Sequence, residues 1–317
     1  MKDQFGRDIT YLRVSVTELC NLRCLYCMPE EGIKKRAHSE MMTEEELILA
    51  IRTAAELGIK KVRITGGEPL EKRNILSICE KITAIPGIEE LCVTTNATLL
   101  PRYAADLKRI GVEHINISLD TLDPEKYRKI TRVGSLEQAL AGLKCALDTG
   151  FHTIKVNAVL IGGFNDDEIR PLAELTLKHP MDVRFIELMP MVGPTAFPPE
   201  AFIPVTTVLS ALPEAVSETP DGGVARLIRL PNALGNVGLI SPVSDHFCGE
   251  CNRLRLTADG KLKPCLHSAD EFSVKDLDAA GMRQTFIHAV NAKPAMHPPL
   301  SATEQTMSVR EMYRIGG

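Results

Sequence analysis

The chain has 317 residues, a formal net charge of −4, 44% apolar residues and nine cysteines. That apolar share excludes a disordered chain, and the acidic balance excludes the global basic field that gathers nucleic acid or acidic membranes. The opening Met1-Lys2-Asp3-Gln4-Phe5-Gly6-Arg7-Asp8 lacks the apolar stretch of a secretion signal, and no apolar run reaches the length of a membrane span. The expectation is a cytoplasmic protein of one large α/β domain with an appendage, in which clustered cysteines point to metal rather than disulfides.

In chain order, Tyr11 to Thr17 reads as a strand. Thr43 to Leu57 reads as a helix, with Thr43 and Glu46 forming a capping box and Leu47, Ile51 and Ala54 an apolar stripe. Lys61 to Thr65 is a strand, Arg73 to Ile85 a helix, and Leu91 to Thr95 a strand. Pro101 opens a helix that Gly111 closes, and His114 to Asp120 is the next strand. The helix Leu136 to Thr149, the strand Thr153 to Leu160, a helix around Asp167 to Lys178 and the strand Asp182 to Met189 complete the series.

Six βα-like units with parallel strands follow from that order. They are too few for a closed eight-stranded barrel, so a partial, open (β/α)6 TIM-like barrel is expected over residues 1–190. Residues 191–235, with Met191-Val192-Gly193-Pro194 and Phe197-Pro198-Pro199, read as a linker and crossing segment. Residues 236–317 read as a smaller C-terminal α+β domain and tail. There Val237 to Ile240 and Asn252 to Cys265 form strands, Asp259-Gly260 marks a type I′ hairpin turn, and Val274 to Asn291 forms a helix.

The strands carry a second signal. A parallel strand buried on both faces should be almost continuously apolar, yet several alternate. Arg13, Ser15 and Thr17 share a face, as do Arg63 and Thr65, Asn116, Ser118 and Asp120, and Lys155 and Asn157. With helices between the strands, one polar face implies a lumen that holds a polar ligand.

Two cysteine groups carry the chemistry. Cys20-x3-Cys24-x2-Cys27 lies just past the first strand, at the end where parallel α/β folds bind ligands. Three thiolates in one loop suit three corners of a cubane iron–sulfur cluster and leave one iron open for a small chelating molecule. The second group is Cys248-x2-Cys251-x13-Cys265. Spacing alone favours zinc there, with His246 or His267 as a fourth ligand. Arg253 and Arg255 share a strand face that suits phosphate or a purine edge. Cys79, Cys92 and Cys145 read as core thiols.

The run Cys20-Asn21-Leu22-Arg23-Cys24-Leu25-Tyr26-Cys27 resembles the signature of the radical S-adenosylmethionine (SAM) superfamily, and Thr65-Gly66-Gly67-Glu68-Pro69 resembles its second motif. That resemblance implies SAM chelated by an open iron, reductive cleavage to a 5′-deoxyadenosyl radical, and SAM contacts at Tyr26, Gly67, Ser118 and Met189. The stretch Asp245 to Thr257, with the terminal Ile315-Gly316-Gly317, is similar to the GTP 3′,8-cyclase family, molybdenum cofactor biosynthesis protein A. This second resemblance implies two [4Fe–4S] clusters, the second held by Cys248, Cys251 and Cys265. It implies GTP as substrate, contacted by Arg13, Arg63, Thr94, Lys155, Arg253, Leu254 and Arg255, and a catalytic tail at Gly316 and Gly317 lying apart from those contacts. The sequence departs from the family at Ala97, usually Gly, and at Leu22, commonly Phe. A reductase or flavodoxin-type electron donor, no nucleic-acid or membrane partner, and a monomer or homodimer are expected. The rival reading is a radical SAM peptide-modifying enzyme with an auxiliary cluster. An electron carrier is a weaker rival, since it would use four cysteines per cluster and need no polar lumen.

Overall fold

The computed structural model describes residues 1–191, 197–219, 223–300 and 306–316. Val192, Gly193, Pro194 and Gly317 therefore lie outside the described residues.

Alternating strands and helices build the first 190 residues: β1 (Tyr11–Ser15), α1 (Glu44–Glu56), β2 (Lys61–Thr65), α2 (Ile75–Thr83), β3 (Glu90–Thr95), α3 (Leu100–Ile110) and β4 (His114–Ser118). Then come α4 (Pro124–Thr131), α5 (Leu136–Thr149), β5 (Thr153–Leu160), α6 (Ile169–Ala173), α7 (Leu175–Lys178) and β6 (Asp182–Glu187). α1 starts where its capping box places it: Glu46 N donates to Thr43 Oγ1 (3.2 Å) and Thr43 N to Glu46 Oε2 (2.7 Å). α4 is an addition to the expected list. Its cap is Asp123, whose Oδ1 accepts from Glu125 N and Lys126 N at 2.8 and 2.9 Å, with Pro124 at the first helical position. The helix expected over Asp167 to Lys178 is broken into the short α6 and α7.

The six strands pair in parallel in chain order, β1 to β6. The later chain supplies α8 (Thr206–Ala211), β7 (Val216–Ser217), β8 (Arg226–Arg229), β9 (Val237–Ile240), β10 (Arg253–Leu256), β11 (Lys261–Lys263), β12 (Phe272–Ser273), α9 (Ala279–Asn291) and α10 (Met312–Ile315). β10 adds in parallel to β1 and β9 in parallel to β6, so the C-terminal segment covers both edges of the same sheet. The full order is β12-β11-β10-β1-β2-β3-β4-β5-β6-β9-β8-β7, an open sheet of 12 strands. The β10–β11 turn differs from expectation. A type I′ turn needs positive φ at both central residues, but only Gly260 has it (79°), and Asp259 instead accepts from Thr257 Oγ1 at 2.6 Å.

The outward residues of the strands are apolar. Leu12, Val62, Ile115, Ile154, Val183 and Leu254 pack under the helices in one continuous core. The opposite, inner face carries the polar residues. Among the described residues no helix is long and apolar enough to cross a membrane.

Candidate active site

Parallel register places the inward cations side by side. Arg255 pairs with Arg13, and Arg13 with Arg63, across β10, β1 and β2. One level nearer the strand ends, Thr94, Asn116 and Lys155 follow one another across β3, β4 and β5. Arg63 donates to Tyr11 Oη (2.5 Å) and Thr94 Oγ1 (3.5 Å), while Lys155 Nζ lies 3.6 Å from Asp182. The guanidinium of Arg253 sits over the Phe247 ring, 5.3 Å from its centroid.

Packing so many cations in a dry space costs energy, which shows in their protonation. Burial, with Arg63 and Arg253 nearby, holds Arg13 down to about 10. Burial with Arg13 and Arg253 likewise holds Arg255 well below the ordinary guanidinium range. Burial pushes the Tyr11 phenol up, but Arg63 and Arg13 outweigh it and leave the phenol below its usual value. The face is built to receive a polyanion.

Sequence reasoning missed one cation here. Arg184 of β6 stands level with Asn157 and Gly238 on the same inner face. A Cβ at Gly238 would lie 3.0 Å from Arg184 Cγ, so a glycine there makes room for the arginine stem. Leu254 needs the opposite correction. Its side chain is fully buried on the helix side, between two inward arginines, so any ligand contact from it runs through the main chain. Cys79 is a core thiol as expected. Cys92, level with Arg63 and His114, is buried on the inner face instead.

The first cysteine loop is held at the C-terminal strand ends. Arg23 N donates to Thr131 O (3.0 Å) and Leu25 N to Ile130 O (2.9 Å). The Arg132 guanidinium bonds the carbonyls of Arg23 (2.8 Å) and Met28 (2.9 Å). Leu22 N donates to Cys20 Sγ (3.3 Å). Burial pushes the Cys20 thiol up to about 11, and burial with Cys20 close by pushes Cys27 up to about 12. Cys24 is raised further by burial and then by Cys27. Burial holds all three thiols protonated, and a neighbouring cysteine adds to it at Cys24 and Cys27, so making all three thiolates takes a strongly cationic centre.

Of the residues expected at SAM, Tyr26 is in this loop and Gly67 packs against its start. Tyr26 Oη donates to Asp120 Oδ2 (2.7 Å) at the end of β4, beside Ser118. Gly67 lies so close to the loop that a Cβ would fall 2.3 Å from Leu19 O. Glu68 is buried and accepts from Leu70 N, Thr95 Oγ1 and Asn96 N at 3.0, 2.7 and 2.7 Å, so this carboxylate braces the second motif against β3. Ala97 holds the left-handed φ of 68° that its usual Gly would hold. Met189 is half-buried past β6.

In the second cysteine group, Cys248 and Cys251 precede β10 and Cys265 follows β11. Arg7 ties its start, donating to Cys248 O (2.7 Å). Burial pushes the Cys251 thiol up, but Arg253 and Lys293 outweigh it and bring Cys251 down to about 6. The two histidines considered for zinc each use Nδ1 in a hydrogen bond, His246 with Pro242 O (3.1 Å) and buried His267 with Thr306 Oγ1 (3.0 Å), which leaves Nε2 outside these bonds. Among the described residues no three His, Cys, Asp or Glu side chains converge on a point that would hold a single ion.

The tail reaches the lumen. Tyr313 and Ile315 are buried, a main-chain bond from Tyr313 meets Cys27, and Arg314 donates to Glu18 (3.3 Å). The last described element of the tail is the helical turn α10, capped by Gly316. Arg255 Nη1 donates to Gly316 O (2.8 Å), so the tail touches a residue expected to hold GTP rather than lying apart from that set.

Known proteins match this arrangement from end to end. Residues 14–176 match the radical SAM superfamily and residues 181–299 match Molybdenum Cofactor Synthesis C. A GTP 3′,8-cyclase of Alkaliphilus oremlandii is 46% identical over 100% of both chains, and one of Peptoclostridium acidaminophilum is 48% identical over 99% of this chain and 98% of its own. The chain belongs to the GTP 3′,8-cyclase family. Within that family it is a radical SAM enzyme, and the open parallel sheet is the fold of the superfamily. Streptococcus suis SuiB bound to S-adenosylmethionine shares the fold at 17% identity, with a TM-score of 0.59 over 87% of this chain and 68% of SuiB. anSMEcpe with bound AdoMet gives 0.55 at 14% identity, over 86% and 80%.

Proposed function

We propose that the chain converts GTP to (8S)-3′,8-cyclo-7,8-dihydroguanosine 5′-triphosphate, the first step of molybdenum cofactor biosynthesis. The observation that carries this reading is the row Arg255, Arg13 and Arg63, in register on the inner face between the two cysteine groups. These guanidiniums, with Arg253 and Lys155, bind the triphosphate and guanine and offset their charge. Thr94 and the main chain at Leu254 complete the contacts.

Cys20, Cys24 and Cys27 would hold one [4Fe–4S] cluster, and the mutual repulsion of their thiolates fits a cationic cluster. Cys248, Cys251 and Cys265 would hold a second. In a cubane each thiolate binds its own iron, so the sulfurs need not converge on one point as they must around zinc. When bound, the first cluster supplies the electron that cleaves SAM to the 5′-deoxyadenosyl radical. Tyr26, Gly67, Ser118 and Met189 would hold and orient SAM beside the first cysteine loop. Gly316 and Gly317 are the proposed catalytic tail, in which Gly316, held by Arg255, closes the lumen beside the substrate and keeps water out. An external donor of the reductase or flavodoxin type supplies one electron for SAM cleavage and a second, which with a proton quenches the cyclised nucleotide radical. The enzyme works in the cytoplasm as a monomer or homodimer.

The test mixes anaerobically reconstituted protein with SAM, dithionite and GTP. Mass spectrometry should find 5′-deoxyadenosine and an isomer of GTP, and analysis should find roughly eight irons, four per cubane. 5′-Deoxyadenosine without the isomer would sink the cyclase reading. One zinc beside a single cluster would sink the second-cluster assignment.

A further inference from the structure

Lys293 follows α9, and its ammonium is enclosed, with the residue only 2% exposed. Nζ donates to Pro264 O (2.9 Å), Arg253 O (3.0 Å) and Cys251 Sγ (3.4 Å). An ammonium has three donors, and all three are used. Two acceptors are neutral carbonyls. Burying a positive charge against neutral groups alone costs several kcal/mol, so the site calls for an anion, and the sulfur is the one acceptor able to be one. A plain structural tie between the start of β10 and the end of β11 accounts for the two carbonyl bonds. It leaves the sulfur bond unexplained.

We infer that Lys293 is a positioning residue for the second cysteine group: its charge, hydrogen-bonded to Cys251 Sγ, makes the cluster held there easier to reduce and fixes Arg253 beside it. The inference rests on the second-cluster reading given above. The physical link is direct. Reduction adds negative charge to the cluster and its sulfurs, and a buried cation donating to one of those sulfurs stabilises that added charge. The bond to Arg253 O couples the same ammonium to the strand that carries three proposed GTP contacts, Arg253, Leu254 and Arg255. Lys293 thus sets both the electronic state of the cluster and its register with the substrate.

The experiment uses full-length Cys24→Ala protein, in which the first cluster is removed and the second gives the remaining signal. Iron analysis of this parent comes first. A parent without a cluster overturns the second-cluster reading and this inference with it. With about four irons present, the midpoint potential is measured by redox titration followed by electron paramagnetic resonance. Lys293→Met should lower the reduced-to-oxidised ratio at fixed potential at least tenfold, a shift of about 59 mV for one electron. Lys293→Arg should recover most of that shift. If Lys293→Met does not fold, Lys293→Gln, a neutral donor to the carbonyls, takes its place with the same expected shift. An unchanged potential in the neutral variant with full iron overturns the inference. So does loss of the cluster from Lys293→Arg as well as from the neutral variant, since the residue would then serve chain packing only.

Discussion

Gly316 offers the sharpest test of how the tail works. Its φ is +80°, and a Cβ built on it would lie 2.2 Å from Thr65 Oγ1, 3.1 Å from Ser15 Cβ and 3.3 Å from Thr65 Cβ. In Gly316→Ala the left-handed backbone costs about 1–2 kcal/mol, and the overpacking a further ~1–3 kcal/mol. Staying in place therefore costs about 2–5 kcal/mol. Withdrawing instead forfeits the bond from Arg255 to Gly316 O, worth ~1.5–3 kcal/mol, together with part of the burial of Ile315. The strain of staying favours withdrawal, and even ~2 kcal/mol shifts the docked-to-withdrawn ratio roughly 30-fold. Two readouts follow it: GTP product against 5′-deoxyadenosine, and hydrogen exchange over residues 306–316. Product should fall at least tenfold, tail amides should exchange faster, and the melting temperature should hold. Thr65→Ala removes the nearest clashing atom, so the double variant should be less impaired than the two single effects summed. Wild-type turnover and exchange in Gly316→Ala, or strict additivity with Thr65→Ala, would refute the reasoning.

Three further outcomes are expected. Cys24→Ala should abolish 5′-deoxyadenosine formation while the second cluster persists, and undiminished SAM cleavage would break the assignment of the first loop. Arg253→Ala should weaken GTP binding by ~1.5–3 kcal/mol, the typical worth of a charge-assisted contact, with both clusters intact. Unchanged affinity by calorimetry would show that Arg253 serves only its contact with the Phe247 ring. Ala97→Gly should relieve a strained left-handed residue (φ 68°) and raise stability by up to about 1 kcal/mol, the strain released less the entropy that glycine adds to the unfolded chain. A lowered melting temperature would mean that the methyl, buried beside Gly142, contributes more packing than its strain costs.

Much of this site could be read from residue alternation. Arg13, Arg63 and Lys155 stood out as charges on strands that burial should have kept apolar, and the structure places all three on the inner face. The same rule applied to β6 would have found Arg184, between buried Val183 and Phe185. Applied to β10, it would have put Leu254 on the outside. α4 also carried a readable signal, Asp123 followed by Pro124, in a segment assigned to no element. Other features depend on distance along the chain. The contact of Lys293 with Cys251 joins residues 42 apart, and that of Arg255 with Gly316 joins residues 61 apart. No local pattern announces such pairs. The type I′ expectation failed because Asp-Gly suits two turn families, and the Thr257–Asp259 side-chain bond favours the one with a single left-handed residue.

The edge pairing has a consequence for how the chain is made. The first six strands leave β1 and β6 bare on one side each, and among the described residues β10 and β9, within 237–256, cover them. During synthesis at ~5–20 residues per second, a nascent barrel spends several seconds with two unpaired edges open to other chains, a template for aggregation. The same interval leaves the first cysteine loop accessible before the tail packs over Cys27. Uptake of the proposed cluster by that loop should be easiest in this window, so iron supply and translation rate should together set the yield of active enzyme. Slowing elongation just before codon 237 should raise the iron content of the purified protein.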